Sequence, residues 1–351
     1  MFKSLKIAIC GYKSDQVGCW DPDDCLKGLP GSEEAVVYAS QSLEKLGHSV
    51  TVMMNPPKNT KYKNWVSVDV EPKGFDMVIL WRRYDCERYK IHNKYVFGWF
   101  HDSPRPYGLF SQFDGVFILS EHHRAQFLQW QGFDRIPYTI CGNGVVLEQF
   151  DKPIGYDNVY SIGYFSNYAR GLMNLIKIWP NIRRAFPKAT LGICYGRIHW
   201  GCLNEQDFNF LIGKIEQYKN LGVTEFGKIG HQELANIMQR TSIFAYPCNE
   251  QGYSETWCIT AVKCQLAGMI PVTTRIGALD ETIHKEAPSI RRIDNLNDLD
   301  NYETLLKKTL IRAALTDTKE ERKKYIEFAR QYTWERCVKK WISLYEEIKK
   351  D

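Results

Sequence analysis

Short apolar runs alternate with amphipathic helical patterns along almost the whole chain. Lys6–Cys10 (KIAIC) is predicted to form a strand, and Ser32–Leu46 a helix whose apolar residues recur at helical spacing. Ser32 can cap this helix, Gly47 can end it, and residues 55–74 are predicted to form a loop. The further strands predicted in this half are His48–Met54, Met77–Trp81, Tyr95–Phe100, Val116–Leu119 and Tyr138–Cys141.

The same alternation starts again with a predicted strand at Val159–Phe165 and a predicted helix at Arg170–Phe186. Near-continuous apolar strands separated by helices predict parallel sheets with both faces covered. We therefore expect an α/β protein with two doubly wound, Rossmann-like domains, residues 1–148 and 149–330, followed by a helix in residues 331–351. The other elements predicted in the second half are the strands Thr190–Tyr195, Val223–Phe226, Ser242–Tyr246 and Ile270–Thr274 and the helices Glu205–Leu221, His231–Arg240 and Glu255–Ala267.

Composition narrows the class of protein. Hydrophobic residues make up 44% of the chain and charged residues 25%, which is typical of a globular protein and argues against disorder. The formal net charge of +5 allows anionic substrates but is too small for a dedicated nucleic-acid binder. None of the 11 cysteines forms a C-x-x-C pair, so we expect thiols in a reducing compartment and no zinc site.

The apolar runs also bear on location. The first run is too short for a signal peptide, and none approaches the ~20 residues of a membrane span. A cytoplasmic location is therefore expected. Peripheral membrane contact could involve the basic and aromatic segments Trp81–Arg83 and Pro104–Phe113.

Ligands of doubly wound sheets bind where the strands end, so two domains of this kind should form a cleft lined by the loops that follow their strands. Three such loops carry polar candidates. Gly28–Ser32 opens a helix and suits a phosphate, although an ordinary turn explains it equally well. His101 follows a buried strand with Asp102 as a possible partner, and Arg170 stands at a strand-to-helix junction where a diphosphate could bind. The alternatives without a binding role are a histidine that caps a strand end and an arginine on the surface.

The segment Tyr246–Thr274 is the most specific feature. A strand ends at Pro247, and a helix is predicted to open at Glu255. At that place the Glu255 carboxylate could accept hydrogen bonds from sugar hydroxyls while the following backbone amides bind phosphate. The alternative, an acidic residue favoured by the helix dipole, explains Glu255 but not the whole segment.

Two other patterns are interpreted as having no catalytic role. Asp21–Asp23 and Asp298–Asp300 match the D-x-D pattern of metal-dependent transferases, but both are predicted away from the sheet centres and are taken as solvated charges. His122 and His123 are taken as the polar face of a helix that runs to Gln131, since adjacent helical residues do not face one another. No metal site is therefore expected.

Within Tyr246–Thr274 the chain resembles the retaining, nucleotide-sugar-dependent glycosyltransferases of family 4. Their motif is Glu, seven residues, Glu, then A-x-x-x-G-x-PV, and this chain has ETWCITAVK followed by CQLAGMIPV. The segments GLPGSEEAVVYASQSLEKLGHSVTV, FHDSP and SNYARGLMNLIKIWPNI are similar to further segments of that family. The resemblance implies a GT-B fold with residues 1–148 on the acceptor side, 149–330 on the donor side, and a last helix that crosses back to the N-terminal domain.

The resemblance also implies a set of site residues and partners. The donor would be a nucleotide-diphosphate sugar, and the acceptor a glycan, a lipid or another hydroxyl compound, with no cofactor, metal or nucleic acid. His101, Asp102 and Glu255 would act on the transferred sugar. The donor-binding residues would be Gly31, Ser32, Arg170, Gly171, Lys228, Gly230, Trp257, Cys258, Ile259 and Lys263.

The chain departs from the family pattern at two places. A second phosphate-binding cation is missing near Phe165 and Ser166, unless Arg197 or Lys228 supplies it. Lys263 stands where the second motif glutamate usually holds the ribose diol, and an ammonium donates but cannot accept. The leading interpretation is a retaining hexosyltransferase. The alternatives are a GT-B sugar-nucleotide-binding protein or partner subunit that has lost turnover, and a GT-B hydrolase or epimerase, which would need further carboxylates.

Overall fold

A computed structural model describes residues 3–13, 18–103, 112–129, 132–152, 155–156, 158–196, 203–249 and 255–350. The chain divides into two compact units. The first unit comprises Met1–Cys25, Leu29–Val146 and Tyr332–Asp351, and the second comprises Leu26–Gly28 and Leu147–Gln331. The chain therefore passes into the second unit twice.

The first unit is built on a seven-stranded parallel sheet in the order β3-β2-β1-β4-β5-β6-β7. Its strands are fully apolar where both faces are covered, as parallel sheets require. The strands are β1 Lys6–Cys10, β2 Ser49–Met54, β3 Trp65–Ser67, β4 Met77–Trp81, β5 Tyr95–Trp99, β6 Gly115–Ile118 and β7 Tyr138–Ile140. The α-helices are α1 Gly31–Lys45, α2 Cys86–Lys90 and α3 Glu121–Phe127, and the 3-10 helices are Pro22–Lys27 and Phe133–Arg135.

A C-terminal helix, Trp334–Ile348, completes the first unit. Its Trp341 ring stacks on Phe117 at 4.8 Å between centroids and packs edge-on against Trp99 at 4.6 Å. Val145 pairs with Thr333 in an isolated parallel bridge, which fixes the start of this helix beside the end of the sheet. The last residues of the chain therefore help to bury the face of strands β5 and β6.

The second unit contains a six-stranded parallel sheet in the order β10-β9-β8-β11-β12-β13. The prediction of two parallel-sheet α/β domains is thus confirmed. The strands are β8 Asn158–Tyr164, β9 Thr190–Cys194, β10 Val223–Gly227, β11 Thr241–Tyr246, β12 Ile270–Thr274 and β13 Ser289–Ile290. The helices are α4 Leu172–Ala185, α5 Glu205–Gln217, α6 His231–Arg240, α7 Ile259–Leu266, α8 Leu279–Thr282, α9 Leu296–Leu315 and α10 Lys319–Arg330, with 3-10 helices at Leu147–Phe150 and Tyr218–Leu221.

Several predicted boundaries are wrong for identifiable reasons. Helix α7 begins at Ile259 and not at Glu255, because Cys258 is at the N-cap and the preceding residues are not helical. Helix α4 begins at Leu172 rather than Arg170, since its N-cap Gly171 is left-handed. The predicted loop 55–74 contains the short edge strand β3, in which Trp65 alone is buried.

Two further observations limit what the fold can be. None of the helices in the described ranges is both long and apolar enough to cross a membrane. The ten cysteines that the structure describes form no disulfide with one another.

Candidate functional site

The centre of the candidate site in the second unit is the carboxylate of Glu255. Only 4% of this residue is exposed, and its Oε1 accepts one hydrogen bond from Arg170 Nη1 and one from Tyr246 Oη, each 2.5 Å long. Tyr246 ends strand β11, Arg170 follows strand β8, and Glu255 precedes helix α7. Strand ends of one sheet therefore bring together three residues that are far apart in the sequence.

Gly171 shapes the backbone on which Arg170 stands. Its φ of 97° is left-handed, and a Cβ at this position would lie 2.2 Å from the carbonyl oxygen of Pro247. Asn174, in the first turn of α4, donates from Nδ2 to the same carbonyl at 3.1 Å. Because only glycine fits here, the turn that directs Arg170 towards Glu255 depends on this position.

The surroundings of Arg170 and Tyr246 shift the pKa values of both side chains upwards. Burial opposes the charge of Arg170, but the nearby Glu255, followed by Tyr246, outweighs it and raises the arginine pKa well above its ordinary value. Burial first, and then Cys248 and Glu255, raise the pKa of Tyr246. At neutral pH a guanidinium and a neutral phenol therefore both donate to one carboxylate oxygen.

The residues after Glu255 follow an irregular path into α7. The Glu255 carbonyl accepts from the backbone of Ala278 at 2.7 Å, which fixes its main chain. Cys258 is buried at the helix N-cap, Ile259 begins the helix, and Lys263 lies inside it with 6% exposure. The expected spacing of Glu255 and Lys263 along one continuous helix is wrong, because the helical part starts four residues after Glu255. Trp257 also lies before the helix.

The loop after strand β10 holds Lys228 and Gly230. Lys228 is exposed, whereas the backbone at Gly230 is buried against Leu26, whose carbonyl oxygen would lie 2.3 Å from an added Cβ. A Cβ added at Gly28 would likewise lie 2.3 Å from the carbonyl oxygen of Ile229. These close backbone contacts explain why Leu26–Gly28 groups with the second unit. Arg197, the suggested alternative phosphate cation, lies outside the described residues.

The candidate site in the first unit is built around His101, which follows strand β5. The imidazole lies 4.7 Å from the Trp99 ring and 6.1 Å from the Trp81 ring, measured between centroids. Both ring nitrogens are buried. Burial first, then Arg82 and His123, lower the pKa of His101 well below its ordinary value, so the ring is neutral at neutral pH.

Arg82 is the residue of this site that the sequence analysis missed. It follows strand β4, with a left-handed φ of 56° that is unusual for a residue with a side chain. Strands β4 and β5 pair in register, so Arg82 N–H donates to the Trp99 carbonyl at 3.0 Å. Its guanidinium forms a bidentate pair with Asp102, in which Nε donates to Oδ2 at 2.6 Å and Nη2 donates to Oδ1 at 3.0 Å. A basic residue directly after the buried run MVILW was the signal available in the sequence.

Gly31 and Ser32 lie at the start of α1, as expected, but Ser32 does not cap the helix. Pro30 is at the N-cap and makes no side-chain cap hydrogen bond. The Ser32 hydroxyl instead donates to Glu33 at 2.7 Å and accepts from Arg82 Nη1 at 3.4 Å. Burial raises the pKa of Glu33, which is 3% exposed. A buried carboxyl group thus adjoins the Arg82–Asp102 ion pair.

His123 corrects the interpretation of the two adjacent histidines as a polar helix face. Its side chain is fully buried, with Nε2 2.9 Å from the backbone carbonyl of Asp102. The backbone N–H of Leu119 donates to Nδ1 at 3.4 Å, so Nε2 carries the proton and donates to Asp102. Burial is the main reason that the pKa of His123 is lowered to about 4. A neutral histidine on α3 therefore anchors the loop that carries His101.

The described residues contain no group of three or more His, Cys, Asp or Glu side chains that could hold a metal ion. The Asp21 carboxylate accepts from the Thr60 hydroxyl at 2.7 Å, and the Asp23 carboxylate accepts from the Tyr62 hydroxyl at 2.7 Å. Asp21 is only 6% exposed, so its interpretation as a solvated charge is wrong. Asp298 accepts from the backbone of Asp294 at 3.1 Å. Within the described residues, neither D-x-D pattern is part of a group that could hold a metal ion.

Two parallel-sheet α/β units with polar residues after their strands are consistent with the GT-B fold. The profile of the family described as "Glycosyl transferases group 1" matches residues 147–332, more than half of the 351-residue chain. The chain belongs to this family. The match contains the candidate residues Arg170, Gly171, Lys228, Gly230, Glu255, Trp257, Cys258, Ile259 and Lys263.

Solved structures support the same fold. A sucrose-phosphate synthase from Thermosynechococcus elongatus aligns with a TM-score of 0.72 and 14% identity, covering 98% of this chain and 99% of that one. A glycosyltransferase from Rickettsia africae aligns with a TM-score of 0.75 and 14% identity over the full length of both chains. The catalytic domain of starch synthase IV from Arabidopsis thaliana, solved with ADP and acarbose, aligns with a TM-score of 0.66 and 9% identity over 99% of each chain. No curated protein sequence matches the chain significantly.

His123 gives a testable pH dependence. Its pKa of about 4 in the folded protein lies below the ~6.5 of an unfolded histidine, so the unfolded chain binds the extra proton between these values. The contribution of His123 to the free energy of unfolding should therefore be fully present well above pH 6.5. As the pH drops to 4, protonation of the unfolded chain should lower the free energy of unfolding by up to about 3 kcal/mol. His123→Gln keeps an N–H for the Asp102 carbonyl but cannot titrate.

Urea unfolding of both proteins at several pH values between 4 and 7 measures the difference. The variant should lose less stability than the wild type over this interval. Parallel curves for the two proteins would contradict a buried neutral His123.

Proposed function

We propose that this protein is a retaining glycosyltransferase that moves a hexose-type sugar from a nucleotide-diphosphate sugar to a hydroxyl acceptor. The observation that carries the proposal is the buried Glu255 carboxylate, held by Arg170 and Tyr246 inside the region matched by the family. The second unit would bind the donor and the first unit the acceptor. The starch synthase neighbour solved with ADP supports a nucleoside diphosphate as the kind of ligand.

Glu255 is assigned to the hydroxyls of the transferred sugar. Both of its hydrogen bonds end on Oε1, and no donor to Oε2 is found among the described residues. Oε2 is therefore the acceptor available to a sugar hydroxyl. The fixed main chain and two donors hold this oxygen in place before the substrate arrives, which is the arrangement that favours precise positioning.

Arg170 and the start of helix α4 are assigned to the donor diphosphate. Arg170 is 31% exposed on its side chain while paired with Glu255, so its charge can act on a ligand at the surface of the pair. The amides beyond Gly171, and those of Trp257, Cys258 and Ile259, supply N–H groups at the starts of two helices. Gly31 and Ser32 would contact the diphosphate from the first unit, and the backbone near Lys228 and Gly230 would hold the base.

His101 and Asp102 are assigned to the reacting sugar. A neutral imidazole can donate from one nitrogen and accept at the other, which suits sugar hydroxyls. In the transfer, the bond between the anomeric carbon and the diphosphate oxygen breaks as the acceptor oxygen bonds to the same face of that carbon, through an oxocarbenium-like state. The acceptor proton passes to the departing phosphate. Arg170 and the helix N-termini stabilise the developing negative charge, so no metal or cofactor is invoked.

The second candidate function is a sugar-nucleotide-binding protein or partner subunit, and Lys263 is the observation that favours it. This residue is buried in α7 at the position of the second motif glutamate. A weak or absent turnover with intact donor binding would identify that function. For either function we propose a cytoplasmic location, with contact to a membrane surface if the acceptor is a lipid, and no nucleic-acid partner.

A panel of UDP-, GDP- and ADP-sugars tests the proposed function. At least one donor should raise the melting temperature, because a ligand that binds only the folded state stabilises it by mass action. The same donor should be transferred or slowly hydrolysed, and its turnover should persist in excess chelator. A panel with no stabilising donor would contradict the proposal, and turnover that returns only with Mn²⁺ or Mg²⁺ would contradict metal independence.

Lys263→Glu tests the position where the chain departs from the family pattern. If Lys263 lies beside the diphosphate as a cation, the new carboxylate should weaken donor binding by roughly tenfold or more through repulsion. We expect this outcome. Tighter binding would instead place Lys263 beside the ribose, where a carboxylate accepts two hydrogen bonds.

Calorimetric titration of the preferred donor measures the change, and Lys263→Met is the matched control because it keeps the length of the side chain without its charge. An affinity that is the same in Lys263→Glu and the wild type would mean that the residue does not face the donor.

A further inference from the structure

A cavity of about 580 Å³ opens within the first unit next to His101. His101 and Asp102 form one part of its wall, and aromatic rings that include Tyr12 and Tyr84 form another. The volume is in the range of pockets that take a small molecule such as a monosaccharide derivative. The described residues that line it all belong to the first unit, and His101 and Asp102 connect the cavity to the proposed reaction centre.

The wall of this cavity carries more positive than negative charge. Among the described residues that line it, four are basic and two are acidic. They are Lys13, Arg82, Arg83 and Arg88 on the basic side and Asp69 and Asp102 on the acidic side. His101 adds no charge at neutral pH, because its pKa is lowered. An anionic group entering the cavity would therefore meet a favourable potential.

Three of these cations are already engaged. Arg82 forms a bidentate ion pair with Asp102. Arg83 pairs with Asp85 and also donates to the Gly11 carbonyl at 2.8 Å. Lys13 lies 2.5 Å from Asp69, in a pair whose two side chains are both more than half exposed. Exposed pairs of this kind are weak, so an entering anion can compete with Asp69 for Lys13.

Arg88 differs from the other three. It is exposed on helix α2 and makes no ion pair with any residue in the described part of the chain. Its guanidinium lies 5.8 Å from the centroid of the Tyr89 ring, a cation–π contact that restricts the side chain. Its charge also helps to lower the pKa values of Asp69, Glu71 and Asp85 without forming an ion pair with any of them. A planar guanidinium with its donors available is suited to bidentate binding of a phosphate or a carboxylate.

We propose that this cavity is an acceptor subsite for a molecule that carries a phosphate or carboxylate group, bound by Arg88 with the help of Lys13. The acceptor hydroxyl would then be presented towards His101. This assignment rests on the proposed glycosyl transfer and adds the chemical class of the acceptor. A soluble sugar phosphate and the headgroup of an anionic lipid share this chemistry.

Calorimetry without any donor tests the subsite independently of turnover. The probes are glucose 6-phosphate and glucuronate, with glucose as the uncharged reference, and vesicles of phosphatidylglycerol compared with phosphatidylcholine. Binding of a charged soluble probe or of the anionic vesicles supports the subsite. Which of the two binds shows whether the anionic group belongs to a soluble molecule or to a lipid headgroup. If neither is bound more tightly than its uncharged counterpart, the subsite is overturned, whatever the donor panel shows.

Arg88→Ala locates the binding. The preference for the charged over the uncharged probe should fall roughly tenfold or more, as expected for the loss of a charge-assisted contact. Arg135→Ala is the matched control, because Arg135 is an exposed arginine that precedes the edge strand β7 of the same sheet and does not line the cavity as described. It should keep the wild-type preference. An equal preference in wild type and Arg88→Ala would overturn the assignment of Arg88.

If a donor from the panel is turned over, the KM values of glucose 6-phosphate and glucose as acceptors give a second reading. Selectivity for the charged acceptor that collapses in Arg88→Ala supports the proposal. Equal use of both acceptors by the wild type would overturn it while leaving the transferase function intact. Failure of every donor would instead contradict the transferase function, and the calorimetric result would still decide the anion subsite.

Discussion

The arrangement of the second unit depends on one buried carboxylate. A charged Glu255 inside a protein is unfavourable unless its charge is paired and its oxygens are hydrogen-bonded, and Arg170 and Tyr246 supply both conditions. To bring them together, the chain turns through a left-handed Gly171 packed against Pro247. The hydroxyl of Thr274 also donates to the carbonyl of Cys248 at 2.8 Å, which fixes the segment after β11. Strand ends, a glycine and backbone contacts therefore all serve to place one carboxylate oxygen.

The first unit follows the same physical logic with different residues. Its loop after β5 is held on one side by the Arg82–Asp102 ion pair and on the other by the neutral His123, which binds the Asp102 backbone. His101 is thereby held beside the rings of Trp81 and Trp99, with a basic cavity next to it. Rigid contacts orient the residue proposed to meet the sugar, while the more weakly held Lys13 and Arg88 remain able to respond to a ligand.

Sequence reasoning recovered the parallel sheets and the loops that carry His101, Arg170 and Glu255, because apolar runs and strand-to-helix junctions are local patterns. It missed Arg82 and the anchoring role of His123, since both depend on which strand lies beside which. It also began helix α7 four residues early, because the irregular path from Glu255 to Cys258 is set by tertiary contacts such as the one to Ala278. Short edge strand β3 was missed for lack of any apolar repeat, with Trp65 alone buried. The exposed Arg88 gives no signal in sequence, and its position beside a cavity is visible only in three dimensions.

The most direct test of this account is the turnover of the preferred donor by Glu255→Gln, measured at a temperature where unfolding curves show the variant to be folded. Glutamine keeps the size of the side chain and an oxygen for Tyr246, but it loses the charge and one acceptor. The matched control is Glu303→Gln, a buried glutamate of the same unit that pairs with Lys307 at 2.6 Å and Asn181 at 3.0 Å. We expect kcat/KM to fall by roughly 10²-fold or more in Glu255→Gln and to stay near the wild-type value in the control. Wild-type turnover by a folded Glu255→Gln would show that this carboxylate only stabilises the fold.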